Sequence, residues 1–219
     1  MKFFIFKSVC ALLLLLCFRT SPVTAQDKWK FLTEKEGIKV YTKSIPDSKI
    51  NALKVECTIN TTLSALVTLL MDVKAAPQWV YHTKSCVLIQ RLSPAELYYY
   101  SEVNLPWPLE NRDFVAHVKV TQDKATKVVI MEAPAVPGFI AKKKGIVRVD
   151  HSVGFWIITP LDKGNVKVEY SLQVNPGGAI PAWAVNLLSS QGPIESFINM
   201  RKMLLGNDYR NATLGFIQN

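Results

Sequence analysis

Three histidines, His82, His117 and His151, are the side chains of this 219-residue sequence best suited to proton transfer or metal binding. They stand far apart, and none has a second ligand at a metal-binding spacing, so a zinc site is not expected. Asp150-His151 has the composition of an acid/base pair, but neighbours on a strand point to opposite faces, which separates the two side chains. The sequence contains no G-x-S-x-G elbow, no phosphate-cradling G-x-x-x-x-G-K and no G-x-G-x-x-G; Gly177-Gly178 lies in a loop before a proline. No cofactor, metal or nucleic acid is implied. The aromatic residues are more informative: Trp79, Tyr99, Trp107, Phe114, Phe139, Phe155, Trp156, Tyr170, Trp183 and Phe197 either fill a core or line an apolar tunnel.

The elements that position these residues follow from periodicity. Ile38 to Ile45 alternates, Pro46-Asp47-Ser48 turns the chain, and Leu53, Val55 and Cys57 alternate again, which reads as a hairpin. Asn60, Thr61 and Thr62 offer caps ahead of Leu63, Leu66, Val67 and Leu70, one face of an amphipathic helix. A short helix or turn carrying Pro77 and Trp79 follows. Six strands are then expected, at Ser85–Leu92, Glu96–Asn104, Asp113–Thr121, Lys127–Glu132, Gly145–Ile158 and Asn165–Val174, forming an antiparallel meander. A helical pattern from Pro181 to about Leu205 closes the chain, with Trp183, Leu187, Ile194 and Phe197 on one stripe and a kink expected at Gly192-Pro193. The fold class is α+β: a curved antiparallel sheet around a long C-terminal helix, the helix-grip arrangement, with room for a cavity between the two.

The first 25 residues read as a secretory signal peptide: basic Lys2 and Lys7, an apolar run from Ser8 to Phe18, and Val23-Thr24-Ala25 before a cleavage point after Ala25. The apolar run is shorter than the roughly 20 residues that a spanning helix needs. A secreted or periplasmic location is expected. The leader carries three basic side chains, so about +6 of the formal charge of +9 belongs to residues 26–219, too little for a dense nucleic-acid footprint. Cys57 and Cys86, left after the leader takes Cys10 and Cys17, fit either one disulfide or two buried thiols.

The stretch from Pro106 to Val115, PWPLENRDFV, resembles the proline-flanked loop and R-D-[FY]-V strand entry of START domains, lipid-transfer modules related to steroidogenic acute regulatory protein. Its P-[FW]-P-x-x-N-R-D form is most similar to members of the phosphatidylcholine-transfer type. Trp79, the run Arg148-Val149-Asp150-His151 with Pro160-Leu161 beyond it, and Pro181, Asn186, Gln191 and Asn199 to Lys202 agree with the family in order. The resemblance implies a START/Bet v 1-like helix-grip domain over residues 26–206, a tail over 207–219, one lipid per domain, and a gate made by the C-terminal helix and loop Asn104–Asn111. It also implies structural roles for Arg112, Asp113, Arg148 and Asp150. Some sterol-binding members place a buried basic residue where this sequence has Val118, paired with an acid near the position of Tyr99. Replacing both members is consistent with the cost of a lone buried charge and leaves a more apolar cavity.

The expected ligand-binding set is therefore Tyr99, Trp107, Phe114, Val118, His151, Trp156, Tyr170, Trp183, Asn186, Leu187 and Phe197, with Tyr99 and His151 as polar anchors. The expected activity is non-catalytic binding, and transfer, of one hydrophobic lipid by a monomer. An enzyme of the same broad fold and a ligand-free interaction module are the rivals. The loop Ala133–Lys144 suggests membrane docking, with Phe139 and Ile140 inserted beside Lys142, Lys143 and Lys144 on an anionic surface; the alternative is an ordinary solvated lysine run.

Overall fold

Alternating apolar residues with a period of two dominate the chain, and strands dominate the structure. It is a computed structural model describing residues 28–46, 50–162, 164–178, 180–181, 184–185 and 187–219. The strands are β1 (Lys30–Lys35), β2 (Ile38–Lys43), β3 (Ala52–Asn60), β4 (Thr83–Ser93), β5 (Glu96–Val103), β6 (Asn111–Gln122), β7 (Val129–Pro134), β8 (Ile146–Arg148), β9 (His151–Leu161) and β10 (Asn165–Asn175). They form one sheet in the order β1-β2-β3-β10-β9-β7-β6-β5-β4, every pair antiparallel except β8, which runs parallel to β6. The helices are α1 (Leu63–Met71), α2 (Ala76–Trp79), α3 (Gly192–Leu204) and α4 (Asn207–Arg210), with a π-helical segment at Leu187–Gln191.

Three expectations need correction. The strand expected over Gly145–Ile158 is two elements: Gly145, with φ +77°, turns the chain into β8, and Val149 donates to the Asp113 carbonyl before β9 begins. A simple meander therefore fails there, and the parallel register sets Arg148 beside Asp113. The C-terminal helix is divided, with Pro193 in the first turn of α3 behind the π-helical segment. Pro193 has no N–H to give the preceding turn, and the wider π turn accommodates that loss. Residues 207–219, expected as a tail, dock against α1: Tyr209 donates to Asp72 (2.9 Å), Ser64 N–H donates to Asn219 Oδ1 (2.8 Å), and Ile217 is buried. The leader over residues 1–25 lies outside the described residues.

Helix α1 starts where the side chain of Thr62 accepts from the Ala65 N–H (3.1 Å), one of the orphan donors of a helix N-terminus. Its Leu63, Leu66, Val67 and Leu69 are sealed in a core with Val55, Ile59, Val129, Ile158, Val166 and Val168 of the sheet and with Ile194, Phe197, Met200 and Leu204 of α3. Cys57 and Cys86 are free thiols on β3 and β4, far apart in the strand order. No described helix is long and apolar enough to cross a membrane.

Candidate functional site

The inner face of the sheet is set by register. Tyr170 on β10 pairs with Trp156 on β9 and Val55 on β3, Trp156 pairs with Met131 on β7, and Tyr99 on β5 pairs with Ala116 on β6. Phe114, Ala116, Val118 and Val120 share that face at a period of two. Helix α3 lays Phe197 on it, with ring centroids 5.7 Å from Trp156 and 6.2 Å from Tyr170, while Trp156 and Tyr170 lie 4.3 Å apart. Trp156, Tyr170, Phe197 and Val118 thus meet where the sequence placed them together, beneath the C-terminal helix.

The inner face is not equally filled along its length. Val129, Ile158, Val166 and Val168 are sealed, whereas Tyr99, Phe114, Tyr170 and Leu172 are only half-buried although they point inward. Burial nonetheless pushes the Tyr99 and Tyr170 phenols far above their ordinary range. The covering of the inner face is thus incomplete at these side chains, which leaves a hollow beside them. Around it stand Phe114, edge-on to Tyr99 at 5.9 Å, and Cys86, whose thiol donates to Ser101 Oγ (3.3 Å) on the strand of Tyr99. Gly154 leaves room beneath the Tyr170 ring: a Cβ there would lie 3.7 Å from the Tyr170 hydroxyl.

One rim of the hollow is tied by Arg112. Its buried guanidinium donates to the carbonyl of Glu110 in the loop 104–110, and to those of Pro176 (3.4 Å) and Gly177 (3.3 Å) ahead of the C-terminal helical region. Arg112 thus joins the loop 104–110 to the connection between β10 and the C-terminal helical region. On the other face, Arg148 grips Asp113 through two bonds (2.7 and 3.1 Å), with both side chains essentially sealed, and donates to the carbonyls of Pro137, Ile140 and Ala141. Asp113 lifts the Arg148 guanidinium further above its already high range by accepting those bonds. Asp150, expected in the same group, is exposed and pairs with Lys142 at 3.5 Å, outside the sealed pair.

Several expected site residues lie elsewhere. Trp107 is 91% exposed, carried outward on the turn from Pro106 to Leu109, and cannot line the interior. His151 is exposed at the start of β9. Its odd spacing from Trp156 already puts the two on opposite faces. Phe139 is 40% exposed, but its ring stacks on Tyr98 (4.4 Å), which stacks on His117 (4.3 Å), so it is folded onto the outer face of the sheet. Lys143 sits 4.0 Å over the Tyr100 ring; Ile140 is half-buried and Lys144 exposed. Trp183 and Asn186, and the side chain of Leu187, lie outside the described residues. Ser101, Gly154 and Leu172 join the expected residues on this face, and two-residue spacing from Tyr99, Trp156 and Tyr170 points to each of them.

The remaining histidines are committed to other contacts. His82 Nδ1 meets the Asn104 carbonyl (2.8 Å), and His117 Nε2 meets Glu96 (2.7 Å) on the outer face. No metal-holding group of three His, Cys, Asp or Glu occurs among the described residues. Two open surface depressions, of about 430 Å³ beside His82 and about 690 Å³ beside Glu34 and Arg201, lie outside the sheet–helix interior.

A model of the START domain matches residues 20–207 of the chain. The phosphatidylcholine transfer protein of Bos taurus is 28% identical over 193 residues, which cover 85% of this chain and 86% of that one. An acetyl-coenzyme A thioesterase of Rattus norvegicus is 26% identical over 168 residues, 75% of this chain and 30% of the enzyme. Among solved structures, a StAR-related lipid transfer protein fragment from Xanthomonas axonopodis superposes with a TM-score of 0.75 at 29% identity, covering 82% of this chain and 100% of that one.

Proposed function

The chain belongs to the START domain family, a family of lipid-binding folds, and from that premise we propose that it holds one hydrophobic lipid between its sheet and α3 and carries it chemically unchanged. The observation that carries this reading is the half-filled inner face: aromatic rings pack at one end, and Tyr99, Phe114, Tyr170 and Leu172 keep accessible surface inside the protein. Each methylene buried there contributes roughly 0.8 kcal/mol, so ten of them give about 8 kcal/mol, equivalent to micromolar binding. Catalysis has little to work with. His82, His117 and His151 all sit away from the hollow, and its tyrosines are held protonated by burial.

Native mass spectrometry of gently purified protein tests the reading. One lipid per chain is expected; a consistently empty protein that also fails to bind fluorescent fatty acids, sterols and phospholipids refutes it.

The leader read from residues 1–25 supports, as part of the same proposal, a mature monomer that begins after Ala25 and works in the periplasm or outside the cell, and N-terminal sequencing of secreted material checks that. Delivery requires contact with a membrane. The exposed indole of Trp107, on the loop that Arg112 ties to the connection after β10, favours that loop as the docking element over Phe139, whose ring is already stacked. Trp107→Ala is expected to weaken liposome binding several-fold and Phe139→Asp to leave it near the parent; the reverse order restores the Ala133–Lys144 loop, with its lysines, as the docking site.

A further inference from the structure

The polar groups of the hollow restrict which lipid it can take. Among the described residues four charged side chains are buried: Glu102, Arg112, Asp113 and Arg148. Each is already committed. Asp113 and Arg148 hold one another, Glu102 accepts from Lys84 (2.7 Å) and Asn111 (2.8 Å), and Arg112 holds three backbone carbonyls of the rim. Among the described half-buried ions, Lys54 pairs with Glu56 and Lys167 with Glu169 on the outer face, Glu96 meets His117, Asp72 accepts from Tyr209 and Glu195 from Gln191, while Arg201 donates to the carbonyls of Glu36 and Thr58. The residues of the 179–186 stretch outside the described set are Ala179, Ala182, Trp183 and Asn186, none of an ionisable type. Among the described residues, and by residue type in the 179–186 stretch, no ionised group is left to meet a ligand in the hollow.

Two neutral donors are left. The polar side-chain atoms that are both sealed and unpaired are Ser64 Oγ, Trp79 Nε1 and Tyr100 Oη. The hydroxyls of Tyr99 and Tyr170 have no hydrogen-bond partner among the described residues, yet they are not sealed. Both belong to the inner face: Tyr99 pairs with Ala116 of β6, and the Tyr170 hydroxyl lies over Gly154 of β9, towards Ala133 of β7. A buried hydroxyl without a partner is unfavourable, and a ligand acceptor corrects it. A phosphate or carboxylate brought into the same space would lose its hydration without gaining a cation, which costs several kcal/mol.

We infer that the cargo of this site is an uncharged lipid whose polar end accepts hydrogen bonds, a hydroxyl or ester carbonyl held by Tyr99 and Tyr170. This rests on the reading that a lipid occupies the interior, and it adds the class: a sterol-like or acylglycerol-like molecule, not a phospholipid or a fatty-acid anion. The two phenols set specificity; the aromatic rings and α3 supply most of the affinity.

Competition binding to the mature chain tests it, with dehydroergosterol and a fluorescent diacylglycerol as uncharged probes and zwitterionic phosphatidylcholine and anionic oleate as ion-bearing competitors. At least one neutral probe is expected to bind at one per chain, and neither competitor to displace it at equal concentration. Tyr99→Phe and Tyr170→Phe are each expected to weaken the neutral probe about tenfold, with an unfolding midpoint near the parent's, because no hydrogen bond to a described residue is removed. Displacement by phosphatidylcholine or oleate at equal or lower concentration overturns the class while leaving lipid binding intact. Unchanged affinity in both phenylalanine variants overturns the anchors. Failure of every probe and competitor to bind overturns the lipid reading itself.

Discussion

The two faces of the sheet handle buried polar groups in opposite ways. Outside, Asp113 and Arg148 are sealed together, and Arg148 spends its remaining donors on the carbonyls of Pro137, Ile140 and Ala141, which holds the loop after β7 against the sheet. Inside, Tyr99 and Tyr170 are half-buried on the inner face and their hydroxyls have no partner among the described residues. A polar group that the protein satisfies itself stabilises the fold, whereas one it leaves unsatisfied beside a hollow is set for a ligand. The difference assigns structure to one face and recognition to the other.

The largest expected effect falls on the outer face. Asp113→Ala leaves Arg148 as a buried charge without its carboxylate and is expected to cost about 3–5 kcal/mol in urea unfolding; a loss under about 1 kcal/mol would mean that the pair does not fix the loop. Phe197→Ala removes the ring joining α3 to Trp156 and Tyr170. It should cost about 3 kcal/mol, the low end for a buried phenylalanine because the neighbouring space is already open. It should also weaken lipid binding, so a variant with full affinity would detach the ring trio from the site.

Between these and the phenols lies an effect of pH. Lys84, with Asn111, holds the Glu102 carboxyl below its ordinary value of 4.5, so its contribution is present above that value and is lost as pH falls through the lowered one. Glu102→Gln should flatten the acid limb of stability below about pH 4.5 and leave lipid affinity at pH 7 unchanged. The smallest stability changes belong to the inner face: Tyr99→Phe and Tyr170→Phe should stay within about 0.5 kcal/mol of the parent, since no bond is lost. A loss of 2 kcal/mol in either would show that the hydroxyl does serve the fold.

The inner face was legible where one strand determines it. Val166, Val168, Tyr170 and Leu172 alternate with Lys167, Glu169 and Ser171, and the dry side is the one that faces α3. The pairing of Arg148 with Asp113 was not, because it depends on a three-residue parallel strand turned by Gly145, too short to show any period. Trp107 misled through its type: an indole between two prolines suggests burial, but nothing in that loop's pattern says which way its tip points. His151 misled because its chemistry was weighed ahead of its parity with Trp156. The hollow itself is a matter of what several strands leave unfilled, which no single segment encodes.

The most direct test of this division is a crystal structure of the lipid-loaded protein. The account predicts continuous density beneath α3, with an uncharged oxygen within about 2.5–3.0 Å of the hydroxyls of both Tyr99 and Tyr170. Density lying elsewhere, such as in the open depression beside Arg201, or an interior closed by side chains with both phenols bonded to protein, would contradict it.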